Sequence, residues 1–500
     1  GCNEALVLTK PDAVQGIHAG FLDAGADVIE TNSFGATSIV LSEYGLADKS
    51  REINQVAARL AASAAEKYHS GTKPRLVAGS MGPTTRSISV TGGVTFEQLI
   101  QAYREQAAGL IEGGVNLLLL ETCQDTRNVK AAILGIRQAE EQLAQKIPLM
   151  VSGTIEPMGT MLAGQSVEAL YTSLEHTGLL SIGLNCATGP QFMTDHIRSL
   201  SGIANCFISC MPNAGLPDEE GRYNETPESL VEALARFAGE GWVNILGGCC
   251  GTTPEHIERI ARMAEDYRPR EPRVPVRCHV SGIDYLEITD DKRPVMIGER
   301  TNVIGSRRFK RLIAEGQFDE ASEIARRQVR SGADIIDVCL ADPDRDEMAD
   351  MQQLLERLIQ KVKAPLMIDS TDPAVIEKAL EYCQGKSIIN SINLEDGEER
   401  FQKVVPLAHR FGAAFVVGCI DDDPDQGMAI TVERKVEVAR KSFDLLTGKY
   451  GVPPQDIIFD ALVFPCATGD ANYTGSAAAT IEGVAAIKKE FPQCKTILGV

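Results

Sequence analysis

Short, nearly continuous apolar runs alternate along this chain with longer segments in which apolar positions recur every three to four residues. In the first half the runs fall at residues 27–32, 75–82, 115–122, 148–155, 181–187, 205–213 and 242–250. Runs of this length predict strands buried on both faces, as in a parallel sheet. The segments between them predict helices. One spans 96–112 and another 227–239, the second opened by Thr226 as cap and Pro227 at the first helical position. From 266 to 294 the periodicity stops and four prolines appear among charges, which predicts a connecting segment. A second series follows at 295–302, 333–340, 365–371, 387–393, 413–421, 456–463 and 496–500.

Two sets of seven strand-helix units predict an α/β fold of two tandem (β/α)8 TIM-type barrels, each expected to lack one unit at its outer terminus. The expected domains are 1–270 and 294–500, joined by a linker at 271–293. A doubly wound open sheet is the rival, but its Gly-rich fingerprint after the first strand is absent.

The charge balance narrows the function classes. With 49 basic and 69 acidic side chains, the net charge of −20 repels phosphate backbones and anionic bilayers, so neither nucleic acid nor membrane is an expected partner. The longest apolar stretch, 115–120, is far shorter than the roughly 20 residues of a spanning helix. Thirteen cysteines, an odd number, predict free thiols in a reducing cytoplasm rather than a disulfide framework.

Three of these cysteines carry the chemistry of the first half. Cys249 and Cys250 sit in GGCCGTTPEH, where an apolar run gives way to a helix start, and Cys186 ends the run SIGLNC. Adjacent residues on a regular strand point to opposite faces, so the pair converges on one ion only if the backbone leaves the pleat. Gly247, Gly248 and Gly251 permit that. Three thiolates would hold Zn2+ with a fourth position open. Buried structural cysteines and a phosphate-binding loop are the competing readings, although a phosphate cradle gains nothing from paired thiols. Glu121, Asn213 and the Thr31-Asn32 pair fall at the same strand ends and could hold a small zwitterion. Glu121 could equally cap a loop, and His256 reads as a first-turn helix residue.

GLNC at 183–186, MPNAGLP at 211–217 and GGCCGTTPEHI at 247–257 resemble the homocysteine-binding zinc module of the cobalamin-dependent methionine synthase family. The resemblance implies Cys186, Cys249 and Cys250 as zinc ligands, homocysteine sulfur as the fourth, and Asn213 close to the metal, where it could hold the empty site; Glu121 is expected at the homocysteine from its strand-end place. The family's acidic, Gly-rich motif of the first strand is not matched by GCNEALVLTKP, and EPMGTMLA at 156–163 is less polar than the family's loop.

In the second half, Glu299 and Asn302 (IGERTN), Asp369 (MIDST), Asn390 (IINSIN) and Asp460 (IIFD) share one set of strand ends. Carboxylates accept N–H donors in pairs and an amide serves both roles, which suits the edge of a reduced pterin. Loop capping is the alternative for any one of them. The acidic runs 342–346 and 421–423 read as solvated loops.

These motifs resemble the methyltetrahydrofolate-binding barrel of the same family. The resemblance implies Asp369, Asn390 and Asp460 on the pterin ring, Glu299 and Asn302 lining the pocket, and Asn390 near the folate N5 that must be protonated. The family's next polar residue follows a Gly-Val pair, where this sequence stops, so the folate site is expected to be incomplete. Together the halves imply methyl transfer from 5-methyltetrahydrofolate through cobalamin to zinc-activated homocysteine, with cobalamin-binding and reactivation domains as partners outside these residues. A cobalamin-independent homocysteine S-methyltransferase and a non-catalytic zinc and folate carrier are the rival readings.

Overall fold

The computed structural model describes residues 1–274, 276–465 and 473–499; Pro275 of the expected linker and Val500 of the last expected strand lie outside them. The chain divides into two compact units, Gly1–Val274 and Pro275–Val500.

In the first unit one sheet holds β1 (Val28–Glu30), β2 (Leu76–Met81), β3 (Leu117–Cys123), β4 (Leu149–Gly153), β5 (Ser181–Asn185), β6 (Phe207–Met211) and β7 (Ile245–Leu246). Neighbours in the sheet are neighbours in sequence, and every pair is parallel. A doubly wound sheet reverses direction from its middle, whereas this order advances one way, as a barrel wall does.

The helical layer follows the sheet round. Helix Pro254–Ala264, after β7, packs on helix Pro11–Asp23, before β1, where a Cβ on Gly20 would meet the Pro254 ring at 3.9 Å. Inside the sheet Ala78, Leu117, Leu119 and Met150 form a buried cluster joined by Leu180, Met211 and Ile245. Outside, helix Phe96–Glu112 starts on a reciprocal capping box between Thr95 and Gln98. Helix Thr126–Leu143 meets it through Gly135, where a Cβ would come within 2.5 Å of the Ile100 carbonyl oxygen.

The second unit repeats the plan with β10 (Ile297–Gly298), β11 (Ile335–Cys339), β12 (Leu366–Asp369), β13 (Ile388–Leu394), β14 (Ala414–Asp421), β15 (Ile457–Asp460) and β16 (Lys495–Ile497), again parallel and in sequence order. Both units are therefore α/β with seven-stranded, barrel-type parallel sheets among the described residues. Each strand lies within its expected run or overruns it by one residue.

The stretch 266–294 differs from the connecting segment expected of it. It contains an antiparallel hairpin, β8 (His279–Ser281) and β9 (Tyr285–Glu287). Val280 of β8 is buried among Ile335, Met367, Ile388, Ala414 and Ile458, with Leu286 and Ile288 packed against them. Several of these residues open their strands, so the hairpin plugs the end of the sheet opposite the expected site. Three-residue strands in a proline-rich context fall below the window in which periodicity can be read. No described helix is long and apolar enough to cross a membrane.

Candidate active sites at the two sheet mouths

Cys186 follows β5, Cys249 and Cys250 follow β7, and their three sulfurs lie within 4.8 Å of one another. Cys186 Sγ and Cys250 Sγ are 3.9 Å apart. Two sulfurs bound tetrahedrally to one zinc at about 2.3 Å would be separated by about 3.8 Å, so the spacing suits that ion. Every described cysteine is a free thiol.

Convergence depends on the backbone leaving the pleat. Cys186 and Ala187 adopt φ of 63° and 56°, and Gly251 adopts 80°. The turn is laced to the strand beside it: Cys186 N–H donates to Met211 O (3.2 Å), Cys249 N–H to Pro212 O (2.8 Å) and Cys250 N–H to Asn213 Oδ1 (3.1 Å). A Cβ on Gly251 would strike the Tyr223 Cβ at 2.3 Å.

Hydrogen bonds from Cys186 and Cys249 hold the Cys250 thiol well below the ordinary range, while Cys249, hydrogen-bonded to Cys186 and Cys250, is held far above it. A divalent cation is what would let all three ionise together.

A further layer fixes the ligands. Asn185 Nδ2 lies 3.8 Å from Cys249 Sγ and donates to Thr122 Oγ1 (2.8 Å), while Thr122 N–H donates to Asn185 Oδ1 (2.9 Å). The Tyr223 phenol hydrogen-bonds to Cys250. Glu121 is buried, accepts from Ser80 Oγ at 2.5 Å, and has its pKa raised by that burial. Its charge raises the pKa of Glu30, an exposed residue at the end of β1, so two carboxyl groups repel each other at this mouth. Thr31 bonds Ser33 and the Ser80 N–H, and Asn32 donates to Asn3 O. His256 closes a capping box with Thr253 and bonds Glu225 O, as its first-turn place implies.

The second mouth gathers carboxyl and amide groups. Asn302 Nδ2 lies 3.3 Å from Asp369 Oδ2 and 3.4 Å from Asp337 Oδ2, and its Oδ1 accepts the Ile304 and Gly305 N–H groups. Asn390 also hydrogen-bonds Asp337. Burial, then the charge of Asp369, pushes the Asp337 pKa up to about 7. Burial likewise pushes Asp369 up to about 6, with exposed Glu299 adding to the rise. Asp460 is held by different groups, accepting the Leu462 N–H at 2.9 Å, and burial raises its pKa too.

Asp337, Asn185, Tyr223 and Glu30 were outside the expected site. An acid inside the otherwise apolar run IIDVC is the signal that could have exposed Asp337. The acidic loop runs are corrected in part. Asp342 is buried against Lys310 at 3.0 Å, and Asp421 is buried between Arg434 and Lys441. Burial with opposite charges, not solvation, explains both.

Residues 1–264 match the family model for homocysteine S-methyltransferase, and residues 298–500 match that for pterin binding enzymes. The whole chain is 39% identical to methionine synthase of Mycobacterium tuberculosis and 40% identical to that of Mycobacterium leprae, covering 42% of each. The chain thus spans about two fifths of the length of the curated relatives it matches. A solved homocysteine methyltransferase from Escherichia coli, in its oxidized form, aligns with 51% of this chain and 86% of its own at 21% identity and a TM-score of 0.44. Matched from residue 1 to residue 264, over half its length, the chain belongs to the homocysteine S-methyltransferase family.

Proposed function

We propose that this chain carries the two substrate modules of a methionine-forming methyltransferase, a homocysteine site in the first mouth and a methyltetrahydrofolate site in the second. The convergence of three thiols within 4.8 Å carries the reading. Cys186, Cys249 and Cys250 would hold zinc, whose Lewis acidity would keep a fourth, substrate sulfur anionic at neutral pH. Asn185 and Asn213 orient the ligands, one at the Cys249 sulfur and one at the Cys250 amide. Glu121 and Glu30 offer carboxylates to the substrate ammonium, whose charge would relieve the repulsion that raises the Glu30 pKa.

In the second mouth Asp369, Asn390 and Asp460 accept the pterin N–H groups, with Glu299 and Asn302 lining the pocket. Methyl transfer from folate needs a proton on N5 to make it a leaving group. Asp337, with its pKa at about 7 and hydrogen-bonded to Asn390, is suited to hold that proton. Cobalamin would supply the methyl carrier, presented by another region of a longer protein or from solution.

The test uses the purified chain with zinc, homocysteine and free methylcobalamin. Methionine should form, and Cys249→Ala should abolish it while leaving methyltetrahydrofolate binding intact. Methyl transfer that persists in Cys249→Ala overturns the zinc reading. A zinc-loaded chain that binds both substrates but never forms methionine supports a carrier instead.

A further inference from the structure

Lys435 is among the largest fully buried side chains of the molecule. Lysine is almost never buried so completely without partners, because an ammonium loses several kcal/mol of hydration on entering a protein interior. The Lys435 Nζ has three N–H donors and meets three backbone carbonyls: Ala429 O at 2.8 Å, Ala461 O in closer contact, and Leu462 O at 3.5 Å. Ala429 lies in the loop after β14, and Ala461 and Leu462 lie in the loop after β15. The Phe464 ring covers the ammonium with its centroid 5.0 Å away.

The route to this position is built into the adjoining helix. Within Ser476–Glu490, a Cβ on Gly483 would come within 2.7 Å of the Lys435 Cδ, so the glycine leaves room for the stem. Thr480 of the same helix donates to Leu462 O at 2.9 Å. Two anchors therefore hold Ala461 and Leu462, one neutral and one charged.

Carbonyl oxygens satisfy the donors but do not cancel the charge. Burial lowers the Lys435 pKa, and the groups that oppose it are the Cys419 thiol of β14 and the Asp460 carboxylate, which sits one residue before the carbonyl of Ala461. Cys419 is pushed up to about 12 by burial and stays neutral in the physiological range. Arg434, beside Lys435 on its helix, is engaged by Asp421, Asp423 and Glu437. Among the described groups the effective counter-charge is thus Asp460, and Lys435 in turn offsets the cost of burying that carboxylate.

We propose that Lys435 is a positioning residue of the pterin pocket. Its buried ammonium ties the loop after β14 to Ala461 and Leu462, just past Asp460, and supplies the countercharge that keeps Asp460 an ionised acceptor for pterin N–H groups. This rests on the pterin reading of the second mouth. A protonated Asp460 would present one donor where the pterin offers donors of its own, so pocket affinity follows the ionisation of this one carboxyl.

The experiment measures methyltetrahydrofolate affinity by calorimetry from pH 5 to 9 in the full chain, in Lys435→Met and in Thr480→Val. In Lys435→Met the pH below which binding is lost should rise by about one unit, so affinity on the acid side of that midpoint should fall about tenfold. Thr480→Val loosens the same loop without changing charge, so it should lower stability and leave that pH unchanged. If Lys435→Met does not fold, Gly483→Ala decides, since it displaces the stem and keeps the charge; the midpoint should again rise, by less. Equal midpoints in the unaltered chain and in the lysine or glycine variant, with affinities within twofold, overturn the proposal. Absence of any methyltetrahydrofolate binding by the unaltered chain sinks the pterin reading itself.

Discussion

The first mouth delivers its ligands by leaving the sheet, and the second by staying in it. Cys186, Ala187 and Gly251 take left-handed backbone conformations just past β5 and β7. Asp337 and Asp369 instead remain on β11 and β12 and keep regular parallel pairing. The difference follows from the size of what each site would bind. One ion needs three atoms within 4.8 Å, closer than consecutive residues on a pleated strand can bring their side chains. A flat heterocycle spans several strands about 4.8 Å apart, so residues held in register already reach it.

The largest test of that contrast removes one ligand. Cys186→Ser, Cys249→Ser or Cys250→Ser should each weaken zinc binding on the order of a thousandfold and leave no metal after dialysis against a chelator, measured by elemental analysis. Asp369→Asn should leave zinc at its original stoichiometry. Loss of zinc in that variant would break the separation between the two mouths.

Next in size is an effect confined to the second mouth. The Asp337 carboxyl, raised from 3.8 to about 7, binds a proton in the folded state that the unfolded chain releases over that range. Stability from this group is complete below about pH 4 and is lost as pH rises through 7, amounting to about 2 to 4 kcal/mol between the limits. Chemical denaturation of the second unit should show this loss, and Asp337→Asn should flatten it. An unchanged slope in the asparagine variant would remove Asp337 as the proton-holding group.

The contrast between mouths also accounts for what could be read in the sequence. Strands buried on both faces appear as apolar runs, so β3 and β13 are legible to within a residue or two. The run 242–250 shrinks to Ile245–Leu246 because the chain quits the pleat to present Cys249 and Cys250. Those cysteines are legible because glycines flank a rare pair. Asp337 is hidden because a lone acid in an apolar run gives no spacing, and only the fold sets it against Asn302 and Asn390. Asp421 is hidden differently: its partners Arg434 and Lys441 lie 13 and 20 residues away on the next helix, a distance at which a charge run simply looks solvated.

A smaller effect sharpens the account of the first mouth. Asn185→Ala removes the amide beside the Cys249 sulfur and the paired bonds to Thr122, leaving all three thiols in place. Supporting partners of metal ligands are typically worth tenfold to a hundredfold in affinity, so zinc competition with a chromogenic chelator should show a loss of about that size. An unaltered affinity would mean that the strained turn alone fixes Cys249.

The smallest expected effect asks whether the sheets are separable from the sites they carry. Thr95 caps helix Phe96–Glu112 in the first unit, and Asp346 caps helix Glu347–Leu358 in the second by accepting the Ala349 N–H at 3.1 Å. Both caps sit at the end of the sheet where the ligands gather, since each helix begins where a strand's loop ends. Replacement by alanine leaves one helix-terminal N–H without its side-chain acceptor and should lower stability by about 1 kcal/mol in either unit. If the strand ends hold the site residues independently of helix entry, Thr95→Ala keeps zinc affinity and Asp346→Ala keeps methyltetrahydrofolate affinity, each within twofold. If the first mouth loses affinity and the second does not, bent backbone is the more fragile way of building a site, because a turn outside the ladder relies on its neighbours while a residue in register relies on the sheet.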